Sequence, residues 1–186
     1  CIEDLGEIVA FALQRTRNGV PFNQIVLATT NPELKATGTG LVGAVDSTKV
    51  VFLEDIANAE FGGGEPREAG TGQGGVPNIK GTTPTTFTAQ FQQIEQDVIR
   101  SYRPYQCETA FSVFLINDAG QIIGLKDATT AVNMRGIPIK NFYIGPKIIG
   151  QLGSVDYNNV SWSFLGDWSD YLYVVTPTDF DPVLDF

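Results

Sequence analysis

Carboxylates are the commonest side chains here that could do chemistry: 21 Asp and Glu stand against 12 Lys and Arg, with no histidine. Glu54/Asp55, Glu65/Glu68, Glu95/Asp97 and Asp179/Asp181 are candidate acid–base pairs. Glycoside hydrolysis needs two carboxyls facing each other across a cleft, about 5–10 Å apart, and nothing in these spacings sets one pair opposite another. The missing imidazole removes the commonest general base, a zinc ligand and the physiological-pH switch. Gly38-Thr39-Gly40-Leu41-Val42-Gly43 matches GxGxxG, yet only Ala44 to Thr48 separate it from the next apolar run, too few for a crossover helix. Gly75-Val76-Pro77-Asn78-Ile79-Lys80-Gly81-Thr82 has lysine before glycine, the wrong order for a phosphate loop, and Pro77 removes an amide. Asn117-Asp118-Ala119-Gly120 offers oxygen ligands but lacks the later glutamate of a calcium loop, and a hairpin turn needs the same residue types. Trp162, Trp168, Tyr171 and Tyr173 would suit a sugar-binding platform, but Val160, Trp162 and Phe164 alternate as a core-facing strand does. No catalytic, cofactor-binding or metal-ligating residue is assigned, and no cofactor is expected.

A net charge of -9 argues against nucleic-acid binding, which rests on basic patches that neutralise phosphate. With 186 residues, 42% of them hydrophobic, the chain reads as a single domain over 1–186 with a core that needs no metal or disulfide framework. No apolar run approaches the ~20 residues of a membrane-spanning helix, and no basic-then-apolar signal opens the chain. Cys1 admits two readings: the lipid-bearing cysteine of a bacterial lipoprotein, or a residue exposed by removal of a methionine or short leader. The apolar pattern that begins at once, without a polar linker, favours the second. Cys1 and Cys107 do not make a disulfide scaffold, and Cys107 reads as a buried thiol.

The elements that must position any site are mostly strands. Residues 1–13 read as an apolar N-terminal arm leading into a strand, and QIVLATT (24–30), KVVFL (49–53) and TTFTAQFQQ (85–93) as strands. In the last of these Phe87, Ala89 and Phe91 share a face. Asn31 and Pro32 read as the start of a short helix, and Ile94, Val98 and Tyr102 recur at helical spacing up to Pro104. AFSVFLI and QIIGL flank the turn at 117–120, and strands follow at 137–144, 158–165 and 171–175. Eight glycines among the 20 residues of 62–81 predict a long loop without regular structure. The reading is a mainly β (α+β) chain, a β-sandwich or barrel-like body with one or two packed helices.

After Lys147 there is no basic residue, while six aspartates follow, an asymmetry compatible with head-to-tail contacts between subunits. Residues 177–186, ending Asp179-Phe180-Asp181-Pro182-Val183-Leu184-Asp185-Phe186, are too apolar for a plain disordered tail and read as an arm seeking a groove. This order of apolar arm, β-rich body with a helix, glycine-rich loop at 62–81 and apolar-acidic C-terminal arm resembles the virion structural proteins of tailed bacteriophages, most nearly the tail tube subunits. The resemblance implies a non-enzymatic protein of the virion, assembled in the bacterial cytoplasm as hexameric rings stacked head to tail. Strands would line an acidic lumen for DNA passage, and loops and arms would join rings and other virion proteins. Neither membrane nor sequence-specific nucleic-acid binding is expected. The residues expected at inter-subunit contacts are Ile2, Leu5, Phe61, Arg67, Ile79, Phe180 and Phe186. A capsid or decoration protein, a surface or secreted carbohydrate-binding module using Trp162, Trp168 and Tyr171, and a hydrolase with a carboxylate pair are the alternatives.

Overall fold

The structure is a computed structural model and describes residues 5–16, 23, 25–26, 35–46, 48–71, 75, 77–108, 110–126 and 133–185. Its first elements are β1 (Ile8–Arg15), β2 (Ile25–Val26), α1 (Lys35–Val42) and β3 (Val50–Leu53). The middle of the chain forms β4 (Ile56–Gly63), β5 (Pro66–Thr71), β6 (Pro77–Thr82) and β7 (Thr85–Gln92), then α2 (Gln96–Tyr102) with a 3-10 turn at Arg103–Cys107. The last elements are β8 (Phe111–Asn117), β9 (Ile122–Lys126), β10 (Asn133–Arg135), β11 (Ile137–Ile148), β12 (Tyr157–Phe164) and β13 (Leu172–Val175).

The body is mainly β, as its composition of alternating apolar strands predicts. Its principal sheet runs antiparallel in the order β3-β1-β8-β11-β12-β7-β4. The first and last of these strands are consecutive in the chain, joined only by Glu54 and Asp55. The sheet is therefore drawn round into a barrel-like curl. Phe11 on β1 and Trp162 on β12 are separated by two strands along the sheet, yet their ring centroids lie 4.7 Å apart. Phe11, Phe87, Phe91, Trp162 and Phe164 are all buried to within 1%. Each such ring contributes roughly 1.5–3 kcal/mol by leaving water. Phe87, Ala89 and Phe91 do share the inner face of β7. At one end α2 closes the curl with Ile99, whereas Val98, the position that the helical spacing singled out, is 38% exposed.

β8 is buried along its whole length. Its inner face joins the barrel core, and on its outer face Phe114 meets Ala12, Val50, Met134 and Val175, with Leu41 of α1 and Tyr173 at the rim. β9, β10 and β13 supply this second layer: β8 pairs through Phe111–Val113 with β11, and through Leu115 and Ile116 with β9. A strand covered on both faces reads as a continuous apolar run rather than an alternating one, as AFSVFLI does.

Three expectations change. Residues 62–81 are not an irregular loop, because β5 and β6 form a two-stranded ladder that continues the β4–β7 hairpin outward. β4 itself had no sequence signal, since from Glu60 to Gly63 it is exposed. The arm expected over 1–13 is, from Ile8, a buried strand between β3 and β8. The chain end folds back on its own subunit: Pro182 is buried, and a Cβ placed on Gly120 would lie 3.6 Å from its Cδ. Of the strand expected at 24–30, Ile25 and Val26 are strand and the rest lies outside the described residues. Asn31 and Pro32 also lie outside them.

Candidate functional site

The GxGxxG glycines lie in and just after α1, not in a loop before a helix, so they form no dinucleotide cradle. Asn117 to Gly120 is the β8–β9 turn, in which the Asn117 side chain accepts from Gln121 N at 2.8 Å and donates to Leu5 O at 2.8 Å. Trp162 is core. Trp168 stacks with Phe164 and Phe61, ring centroids 4.6 and 5.6 Å apart. Tyr173 sits under Lys126, 4.5 Å from the ring centroid. The four rings therefore share no platform; Tyr171 is exposed and, with half-buried Trp168, lines a hollow of about 180 Å³, below the usual range of ligand pockets. Among the described residues no three acidic or cysteine side chains gather as a metal site, and no helix is long and apolar enough to cross a membrane. Cys107, expected to be buried, is exposed.

Two features remain, both built on the β4–β7 hairpin. The first is its outer half. At Gly63 the backbone turns through φ +79°, and the Pro84 carbonyl approaches so closely that a Cβ would collide with it. Glycine is required at this bend. Thr83 ties the bend by donating its amide to Glu65 O at 2.8 Å. Beyond it, Pro66 faces Thr82, Glu68 faces Ile79 and Thr71 faces Pro77. Arg67 thus lies opposite Lys80 and Gly81. Phe61 to Gly70 and Ile79 to Thr82 are all exposed, Ile79 at 68%. Neither Arg67 nor Lys80 has an ion-pair partner among the described residues. The base is anchored by Phe61, which stands edge-on to Phe87 at 5.0 Å and parallel to Trp168.

The second feature is a cleft of about 660 Å³ at the opposite end of the same hairpin. One wall is β3 with Glu54 and Asp55, and the other is α2 with Val98, Ser101 and Tyr102. β3 pairs with β1 on one edge and with no described strand on the other. On that side Tyr102 Oη donates to Phe52 O at 3.5 Å. Asp55 takes the left-handed conformation (φ 56°), which turns β3 into β4. Burial and the adjacent Asp55 hold the Glu54 carboxyl above its ordinary range, and burial with the charge of Glu54 raises Tyr102. Among the described residues Glu54 and Asp55 are the only carboxylates lining the cleft, which Lys49 also lines, and as chain neighbours they do not face each other across it as an acid–base pair must.

Of the expected contact residues, Arg67 and Ile79 come together on the outer hairpin and Phe61 stands at its base. Leu5 packs against the core instead, Phe180 is half-buried in the folded-back end, and Ile2 and Phe186 lie outside the described residues. Sequence reasoning missed the cleft, because β3 and α2 meet only through the curl of the sheet. No family model, curated protein or solved structure matches the chain.

Proposed function

We propose that the chain is a non-enzymatic, self-assembling structural subunit, most like a tail tube subunit of a tailed phage and acting within the virion. The observation that carries the reading is the outer hairpin. A two-stranded ladder exposed on both faces is marginal in water on its own, and this one presents Ile79 to solvent, with Arg67 and Lys80 lacking ion-pair partners among the described residues. Such an element is stabilised when another chain covers it, with ordering cost offset by the interface. The barrel-like body below it suits repetition around an axis, and the -9 charge suits a lumen through which DNA slides without binding. Other assembling virion roles share these features, and particle shape distinguishes them. The test is native mass and negative-stain imaging of the purified chain over a concentration series. Rings or tubes are expected, and a chain with 66–82 replaced by a two-residue turn should remain a folded monomer. A full-length chain that is monomeric at every concentration would overturn the reading.

A further inference from the structure

The turn between β11 and β12 is held by its own hydrogen bonds. Asp156 Oδ1 accepts from Gly150 N at 2.8 Å, and its other carboxyl oxygen pairs with Lys147 Nζ at 3.2 Å. Ser154 donates its amide to Gln151 O at 2.9 Å and its hydroxyl to the same oxygen at 3.0 Å. Gly153 takes φ +93°, and a Cβ on Gly150 would lie 2.5 Å from Ser154 O, so glycine is needed at both positions. This fixed turn carries two large aliphatic side chains to solvent: Ile149 is 80% exposed and Leu152 fully exposed.

The hollow beside Tyr171 lies at the other end of the same strand pair. Ile148 pairs with Tyr157 at the turn, whereas Ile139 pairs with Phe164 next to Pro138 and Leu165, which line the hollow. The run from Ile139 to Ile148 spans roughly 25–30 Å of extended chain. Leu125, Pro138, Leu165, Trp168 and Tyr171 give the hollow an apolar lining, and Leu165 and Tyr171 keep more than half of their surface in water. Its volume of about 180 Å³ suits a side chain, since an apolar cavity of roughly 150 Å³ already admits a benzene ring. Arg135 and Asp167 also line it, and residues 149–155 carry no charge to set against either.

We propose that this hollow seats the β11–β12 turn of a second copy of the chain, with Leu152 inserted among Leu165, Trp168 and Tyr171 and Ile149 against the rim. The seat removes Ile149 and Leu152 of one copy and Leu165 and Tyr171 of the next from water, the term that drives most protein association. Knob and hollow at opposite ends of one strand pair make a heterologous contact, which repeats into a ring or a filament and not into a two-fold dimer. A lipid surface is the other apolar partner for such a turn, and the net charge of -9 opposes approach to an anionic one. The seat rests on the assembly reading above and names one surface through which copies join.

The test is native mass of the full-length chain at fixed concentration. Ile149→Asp with Leu152→Asp, both at exposed positions, should lower the assembled fraction by at least roughly tenfold, and Leu165→Asp should do so from the other side. Leu152→Met, which keeps the apolar volume, should stay within about threefold of the unaltered protein. Circular dichroism checks that each variant folds. As an independent readout, chains whose Cys1 and Cys107 are serine carry either Leu152→Cys or Leu165→Cys. Mixed and oxidised, they should give dimers with one of each, while neither should cross-link alone. Leu152→Cys chains that link to themselves would show a turn-to-turn contact and overturn the seat. So would flotation of the unaltered chain with phosphatidylcholine vesicles that the double aspartate variant abolishes, which makes the turn a membrane contact. Assembly that neither aspartate variant weakens would overturn the seat and leave the assembly reading standing. An unaltered chain that never assembles would overturn both.

Discussion

The inner and outer halves of one hairpin obey different physics. In the inner half β7 sets Phe87, Ala89 and Phe91 into the barrel, all within 2% of complete burial. In the outer half β5 and β6 keep the same antiparallel pairing, but their described side chains, at 66–70 and 79–82, are all exposed. Hydrogen bonds are common to both, and their net worth is modest because water competes for the same groups. What separates the halves is apolar area removed from water.

The comparison breaks most severely at its buried side. Phe87→Ala should cost about 3–5 kcal/mol, read from urea unfolding, because it leaves a cavity against Trp162, whose ring stacks on Phe87 at 4.2 Å. Phe61→Ala, at the junction, should cost about 1–2 kcal/mol, since the ring is 44% exposed but makes three aromatic contacts. Replacing 66–82 by a two-residue turn should move the urea midpoint of the body by under about 0.5 kcal/mol equivalent, the scale of surface changes.

Two smaller effects concern charge. Glu54 is held above its ordinary pKa, so the neutral form is favoured in the folded subunit. Stability should therefore fall as pH rises from the ordinary glutamate range through the raised value, and Glu54→Gln should flatten that dependence. At neutral pH this variant should melt about 1–2 °C higher, a gain of well under 1 kcal/mol. Glu108 behaves oppositely. Its bidentate pairing with Arg15, 2.9 Å at each nitrogen, lowers its pKa. The stabilisation should be present above the ordinary glutamate range and vanish as pH falls through the lowered value. With side chains 47% and 36% exposed, Arg15→Ala should cost only about 0.5 kcal/mol, and thermal melts between pH 3 and 7 check both signs.

Strands with one buried face were legible because their period is visible: TTFTAQFQQ and NNVSWSFL lie within a residue of β7 and β12. β8 was legible by its continuous apolar run. The outer hairpin was not, since alternation records a buried face and this ladder has none; its glycines carry the bends and positive φ at 63, 64, 70 and 81 that a loop would also need. A short helix was read as starting at Asn31 and Pro32, which lie outside the described residues, and α1 as described runs over Lys35–Val42, through Gly38 and Gly40. Arg67 and Ile79, named from the sequence as expected contacts, are both exposed on this ladder. The cleft depended on residues 49–55 meeting 93–105, a contact no local pattern encodes.

Amide hydrogen exchange tests the central claim most directly, because it reads both halves of the hairpin in one sample. In dilute monomer the amides of 86–92 should exchange only through global unfolding, while those of 67–71 and 78–82 exchange orders of magnitude faster through local opening. On concentration into assemblies the outer amides should become protected while the inner ones change little. Outer amides as protected in the monomer as those of β7, or unprotected in the assembled state, would contradict the account.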